Sequence, residues 1–203
     1  MRELRLVFGA DHLAGGEILV NGKKVKIKTP RDAVKNGIGY LSEDRKMLGV
    51  ATNLSVIDNL ALTNWDSFAR LGVIDKKSLL IAAREYIDKI NIKASSINQK
   101  VLDLSGGNQQ KVVVAKWLMR NCDILIFDEP TRGIDVGAKN EIYKLINQLA
   151  AEGKSIIMIS SEMPEILRMS DRIIVMCEGR LTGELGIHET TQERIMQYAT
   201  LRQ

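Results

Sequence analysis

The sequence predicts an α/β sandwich carrying a helical insertion, and three observations predict it. Beyond residue 105, helical patterns alternate with short strands that are apolar throughout, as expected for parallel strands covered on both faces. Residues 44–104 hold helical patterns and no convincing strand. Ahead of them, Asn21-Gly22 sits between two short extended runs, a dipeptide suited to the positive backbone dihedrals of a tight hairpin turn.

Taken in chain order, residues 17–27 read as two strands joined at Asn21-Gly22. Thr29-Pro30 supplies an N-cap and a proline at the first helical position, so a short helix runs to Asn36-Gly37 and a strand follows over 38–41. In the helical lobe, helices are expected over 55–62 and 75–90, with Leu80, Ala83, Ile87 and Ile90 forming one apolar stripe. A helix over 105–120 leads to a strand over 124–127. A second helix, over 135–152, carries Ile142, Leu145, Ile146 and Leu149 on one face and leads to a strand over 155–160. A helix after Glu162, a strand over 172–176, a turn at Glu178-Gly179 into 180–184 and a closing helix over 190–199 continue the pattern.

The 203 residues are 45% hydrophobic and 27% charged, which excludes a disordered or collagen-like chain and suits one main core. A net charge of +4 is too mild to indicate a polyanion partner, and 4% aromatics leave little for base stacking, so no nucleic acid is expected. Lys23, Lys24, Lys26, Lys28, Arg31 and Lys35 read as the solvated face of an edge hairpin rather than a nucleic-acid or lipid patch. Cys122 and Cys177 lie far apart without a CxxC or Cys/His cluster, which fits a reducing compartment and indicates neither a metal site nor a disulfide framework. Apolar runs such as 124–127 and 156–159 are far shorter than a membrane span, so a membrane would be reached through a partner.

Two segments carry chemistry. Leu104-Ser105-Gly106-Gly107-Asn108-Gln109-Gln110 stands where a loop enters a helix. Its glycines let a phosphate approach bare backbone, Ser105 can cap the helix and donate from its hydroxyl, and the first helical turn supplies free N–H groups and the positive dipole end. The second is Ile124-Leu125-Ile126-Phe127 running into Asp128-Glu129-Pro130, which puts two adjacent carboxylates at the carboxyl end of a strand, where open α/β sheets bind ligands. Asp128 can hold Mg²⁺ through water, and Glu129 is placed to orient a water that attacks a γ-phosphate. Gly133-Ile134-Asp135 follows in order.

On these residues the chain resembles the nucleotide-binding domain of ABC ATPases, a P-loop NTPase-like α/β fold with a parallel-sheet core, an N-terminal antiparallel hairpin and a helical subdomain, here approximately residues 44–122 of a single domain over 1–203. Residues 104–110 look like the signature motif, 124–129 like Walker B and 133–135 like the D-loop. More narrowly, Gly39-Tyr40-Leu41-Ser42-Glu43-Asp44-Arg45-Lys46, the Asn-Gln-Gln ending of the signature, Pro130-Thr131-Arg132-Gly133-Ile134-Asp135-Val136-Gly137-Ala138-Lys139 and Ile159-Ser160-Ser161-Glu162-Met163-Pro164-Glu165 resemble the second cassette of tandem ATP-binding subunits of bacterial sugar importers, the ribose, galactose and xylose class.

The resemblance implies ATP and Mg²⁺ as cofactors. It places Ser105, Gly106, Gly107, Gln109, Asp135 and Glu43 against nucleotide, Asp128 on the metal, and Glu129 and Ser161 in catalytic positions. Its departures matter too. No G-x-x-x-x-G-K-[ST] occurs in the sequence, so the loop that cradles the β- and γ-phosphates and the first core strand are expected to be missing, and the chain alone to be inactive. Glu43 stands where the general pattern has the Q-loop glutamine, and Ser161 where it has the switch histidine. Because the signature of one cassette closes on nucleotide held by another, the implied partners are a complete cassette and a membrane permease contacted through residues 43–60, with the chain at the inner face of the cell membrane. The competing expectation is a catalytically idle module that docks on such partners and regulates them, or a non-functional remnant of such a subunit.

Overall fold

The computed structural model describes residues 3–70 and 72–201. It divides into two compact units, Met1–Ile157 and Met158–Gln203, and each is described by itself.

In the first unit, helix α1 (Glu3–Val7) leads into Phe8, which is buried, and then to the hairpin β1 (Ile18–Val20) and β2 (Lys23–Val25). Asn21 and Gly22 take φ of 51° and 73°, the twist that a two-residue hairpin turn needs. Helix α2 (Pro30–Lys35) opens on a reciprocal cap: Thr29 accepts from the Asp32 N–H while the Asp32 carboxylate accepts from the Thr29 N–H over 3.0 Å. Strand β3 (Ile38–Leu41) follows, and a π-type helical turn spans Arg45–Gly49, capped by Asp44 through the Met47 N–H.

The helical lobe holds α3 (Val56–Ala61), α4 (Trp65–Phe68) and α5 (Lys76–Ile90). It departs from expectation in two details. A two-residue antiparallel ladder, β4 (Ala69–Arg70) with β5 (Val73–Ile74), interrupts the helices; it is too short to leave a periodic signal. The buried stripe of α5 is centred on Leu79, Ala83 and Ile90, with Leu80 and Ile87 only half-buried, so the stripe starts one residue earlier than the spacing suggests. Asn59 on α3 is fully buried and ties the preceding loop, its amide accepting from the Ala51 N–H over 2.8 Å and donating to the Ala51 carbonyl over 3.0 Å.

Helix α6 (Gly106–Met119) is buried along most of its length, which is why its apolar pattern lacks a polar face. It packs against α3 and α5 and leads to β6 (Ile124–Asp128), helix α7 (Val136–Ala151) and β7 (Ser155–Ile159). The sheet order is β3-β6-β7; β3 and β6 run parallel, with Tyr40 opposite Ile126 and Leu41 opposite Phe127. Strand β6 is the covered central strand that its composition suggests, whereas β7, at the sheet's edge, alternates in burial and leaves Ile157 39% exposed.

The second unit contains α8 (Met163–Met169), β8 (Arg172–Cys177), β9 (Arg180–Gly186) and α9 (Gln192–Ala199). Among the described residues, strand β8 joins no parallel ladder. It pairs antiparallel with β9 through a turn in which Glu178 and Gly179 take φ of 50° and 79°, and Ile173, Val175, Leu185 and Ile195 form this unit's own core. Among the described residues no helix is long and apolar enough to cross a membrane.

Candidate functional site

The acidic tip is built by the register of β3 against β6. Asp128 ends β6 on the face shared with Ile126, diagonal to Tyr40, and is 5% exposed. The Tyr40 hydroxyl donates to its Oδ2 over 2.6 Å. Burial first, and the neighbouring carboxylate second, push the Tyr40 phenol well above its usual pKa, so it stays a donor. Its ring is held by Phe8, stacked at 5.3 Å between centroids, and Phe8 meets Trp117 edge-on at 5.8 Å. Glu129 then leaves the strand with φ of 49°, a left-handed conformation that a non-glycine residue adopts at a cost of about 1 kcal/mol or more. That reversal turns the chain at once into Pro130 and the buried Thr131.

The glycine turn precedes α6. Ser105 caps the helix, is exposed, and its Oγ also accepts from the Asn108 side-chain amide over 3.0 Å. The glycines have steric reasons inside this chain. A Cβ on Gly106 would stand 2.7 Å from Nη2 of Arg45, and one on Gly107 would stand 2.7 Å from the Cβ of Ala138 in the first turn of α7. Gln109, placed against nucleotide by the resemblance, is 4% exposed and donates to the carbonyls of Val101 and Leu104 over 3.1 and 3.2 Å. Its amide braces the turn from beneath. Asp135 caps α7, accepting from the Ala138 N–H over 2.9 Å.

Three of the predicted segments meet around two arginines. Arg45 donates to the main-chain carbonyls of Arg132 and Gly133 over 2.9 and 3.3 Å, and Glu43 forms an ion pair with the Arg132 side chain. Glu43, the glycine turn and the segment before Asp135 therefore converge, while Asp128 and Glu129 form the tip of β6. Ser161 is exposed and lies in the second unit. Tyr40 and Arg45 were legible only as motif members, since neither an isolated tyrosine on a strand nor an arginine after an acidic pair signals a bonding partner some 88 residues away. The Lys46 side chain lies outside those described.

The fit to a metal is that of a cation that keeps most of its water. No group of three or more His, Cys, Asp or Glu side chains gathers among the described residues, so Asp128 would be joined by at most one other such side chain, as suits Mg²⁺ sharing its shell with water and phosphate oxygens. The fit to ATP is partial: the first turn of α6 offers N–H donors for a terminal phosphate, and the sequence holds no phosphate-loop pattern. A groove of about 280 Å³ is lined by Arg31, Lys35, Trp65 and Arg120 among others, none of them a candidate nucleotide residue.

Comparison with known proteins agrees with this geometry. The family model described as ABC transporter matches residues 4–132. A protein of Burkholderia cenocepacia (strain HI2424), whose name places it among ribose/galactose/methyl galactoside import ATP-binding proteins, is 60% identical over 98% of this chain and 39% of its own length. The xylose import ATP-binding protein XylG of Thermoanaerobacter pseudethanolicus is 55% identical over 91% of this chain and 37% of its own. The ribose import ATP-binding protein RbsA of Clostridium tetani is 50% identical over 96% of this chain and 39% of its own. The chain thus spans about two fifths of the length of these relatives. Among solved structures, the ATP-binding cassette MJ1267 of an ABC transporter superposes with a TM-score of 0.79 at 19% identity, over 96% of this chain and 81% of that one, which shows the fold. The cassette MJ0796, solved as a dimer bound to ADP and Pi, gives 0.72 at 21% identity over 91% and 78%.

Proposed function

This chain belongs to the ABC transporter family, and from that premise we propose that it is the ATP-binding, energy-coupling component of a bacterial carbohydrate importer, acting in trans with a complete cassette. The observation that carries the proposal is the exposed cap at Ser105 on the first turn of α6, in a sequence that has no phosphate-loop pattern of its own. Ser105, Gly106 and Gly107 cap the γ-phosphate of ATP bound to the partner, with the dipole end of α6 and unshared N–H groups favouring the anion. Asp135 lines the same junction from the start of α7. Asp128 and Glu129 belong to this chain's own pocket, distinct from the partner's nucleotide, a pocket for which the sequence supplies no phosphate-loop pattern. There Asp128 would hold Mg²⁺ through water, Glu129 would orient an attacking water and Glu43 would take a sensing role, while Ser161 is assigned the switch role by resemblance alone. Mg²⁺, when bound, neutralises charge that builds on the transferred phosphoryl group.

Docking to the permease is assigned to residues 43–60, where Met47 and Leu48 are 79% and 64% exposed on the turn after Asp44. That contact would place the chain in the cytoplasm, peripheral at the inner face of the membrane.

A mixing experiment tests the reading. Adding this chain to a complete cassette, such as the phosphate-loop-bearing cassette of a xylose-import relative, is expected to raise ATP turnover several-fold. Ser105→Arg, which fills the cap, abolishes the gain; Lys24→Ala, on the exposed hairpin, leaves it intact. The alternative of an idle docking module, favoured by the missing phosphate-loop pattern, predicts association without any change in turnover.

A further inference from the structure

We propose that Arg45 is a positioning residue that holds the glycine turn and the segment before Asp135 in one arrangement, so that the two move as a unit. The inference rests on the reading of the site given above. Three observations carry it. The guanidinium donates to two successive main-chain carbonyls, Arg132 at 2.9 Å and Gly133 at 3.3 Å, so it reads backbone geometry rather than a side chain. Its Nη2 occupies the space over Gly106 that a Cβ would need, 2.7 Å away, and the Ile134 methyl closes the other side at 3.2 Å. Its Nε is buried with no hydrogen-bond partner, an unfavourable placement that persists only where the surrounding structure dictates it.

Chemistry selects arginine here. A planar fork can serve two adjacent carbonyls while lying flat beneath a glycine; a lysine ammonium, as a point charge, reaches one of them. Gly106 carries no positive φ, so its missing side chain is explained by the guanidinium and not by backbone conformation.

The five-residue turn that begins at Arg45 is also fixed at its far end. Lys116 on α6 is 6% exposed and donates from Nζ to the Gly49 carbonyl over 2.5 Å, and a Cβ on Gly49 would press on Val113 at 3.2 Å. Between these two anchors Met47 and Leu48 face outward. A partner that displaces this turn therefore pulls on Arg45 at one end and on α6 at the other. Glu43, by pairing with the Arg132 side chain, adds a second hold on the residue whose carbonyl Arg45 grips.

Two measurements on the whole 203-residue chain test the proposal. In hydrogen exchange on the chain alone, Arg45→Met is expected to speed exchange about tenfold at residues 132–134 and 106–108 while β6 and α5 keep wild-type protection. Gly106→Ala does the same, and the double variant adds nothing further, because both changes break one contact. In turnover assays with a complete cassette and saturating chain, Arg45→Met lowers kcat about tenfold at unchanged KM for ATP, and Arg45→Lys does not restore it. Unchanged exchange at 132–134, or additive effects of the two substitutions, overturns the proposal. If Arg45→Met raises exchange everywhere, Arg45→Lys decides: a rise confined to 132–134 and 106–108 upholds the role, and wild-type protection there overturns it. If the wild-type chain fails to stimulate the cassette, the trans reading falls while the exchange data still decide the role of Arg45.

Discussion

Tyr40 and Asp128 stand on neighbouring parallel strands, and the Tyr40 hydroxyl donates to Oδ2 of Asp128 over 2.6 Å at the end of the sheet. The bond gives a 5%-exposed carboxylate a partner and fixes which way it faces.

Tyr40→Phe keeps the ring stacked on Phe8 but removes the donor. It is expected to cost about 1–3 kcal/mol, the range for deleting a hydrogen bond to a buried charged acceptor. Urea denaturation of the two chains checks this; a change within about 0.3 kcal/mol would mean that Asp128 finds water instead.

Gly107→Ala drives a Cβ to 2.7 Å from the Cβ of Ala138. Helix propensity favours alanine by up to about 1 kcal/mol, but overpacking at a buried contact costs about 1–3 kcal/mol, so a net loss of stability is expected. Adding Ala138→Gly restores the space. Thermal unfolding of the single and double variants is the check, and failure of the second substitution to recover stability would place the strain elsewhere.

Much of this fold was legible because local signals agreed with the final packing. The Thr29 cap, the Asn21-Gly22 turn and the apolar run of β6 each stand on chemistry that acts within a few residues. What was not legible depends on distant partners. The glycines of the turn read as a phosphate approach, yet each faces a side chain of this chain, Arg45 or Ala138, brought in by folding. Gln109 was set against nucleotide by the resemblance alone; here α6 is covered on nearly all sides, so the amide turns inward to two carbonyls, a placement that no local signal announces. The turn at Glu178-Gly179 was clear, but not that among the described residues β8 would pair with β9 alone, since strand pairing is decided by the available neighbour.

Lys116 gives a pH dependence whose sign is fixed. Burial pushes its ammonium down to about 8, below the usual 10.5, so the unfolded chain holds the proton more tightly than the folded one. Stability is therefore expected to rise as pH increases from about 8 toward 10, by at most about 2–3 kcal/mol, with no contribution below 8 where both states are protonated. Above 10 the raised Tyr40 phenol acts oppositely, since only the unfolded chain ionises there. Denaturation of Lys116→Met at pH 7.5 and 9.5, alongside wild type, isolates the lysine: the variant should show a flatter profile.

Asn59→Ala is expected to cost about 1–3 kcal/mol, because it strands the Ala51 N–H that the buried amide now serves, while the Ala51 carbonyl keeps its bond from the Leu54 N–H over 2.9 Å. Unfolding by urea reads the loss, and a cost below about 0.5 kcal/mol would show that the loop over 51–55 finds water in its place.

The central proposal is that this chain grips a terminal phosphate only when another cassette presents it. Titration of fluorescent ATP into the chain with Mg²⁺, alone and then with a complete cassette, measures that directly. Alone, affinity is expected to be no tighter than about millimolar, and the complete cassette should bind ATP more tightly once the chain is present. Micromolar binding by the chain alone would contradict the account, since about 8 kcal/mol of affinity would then arise without any phosphate loop.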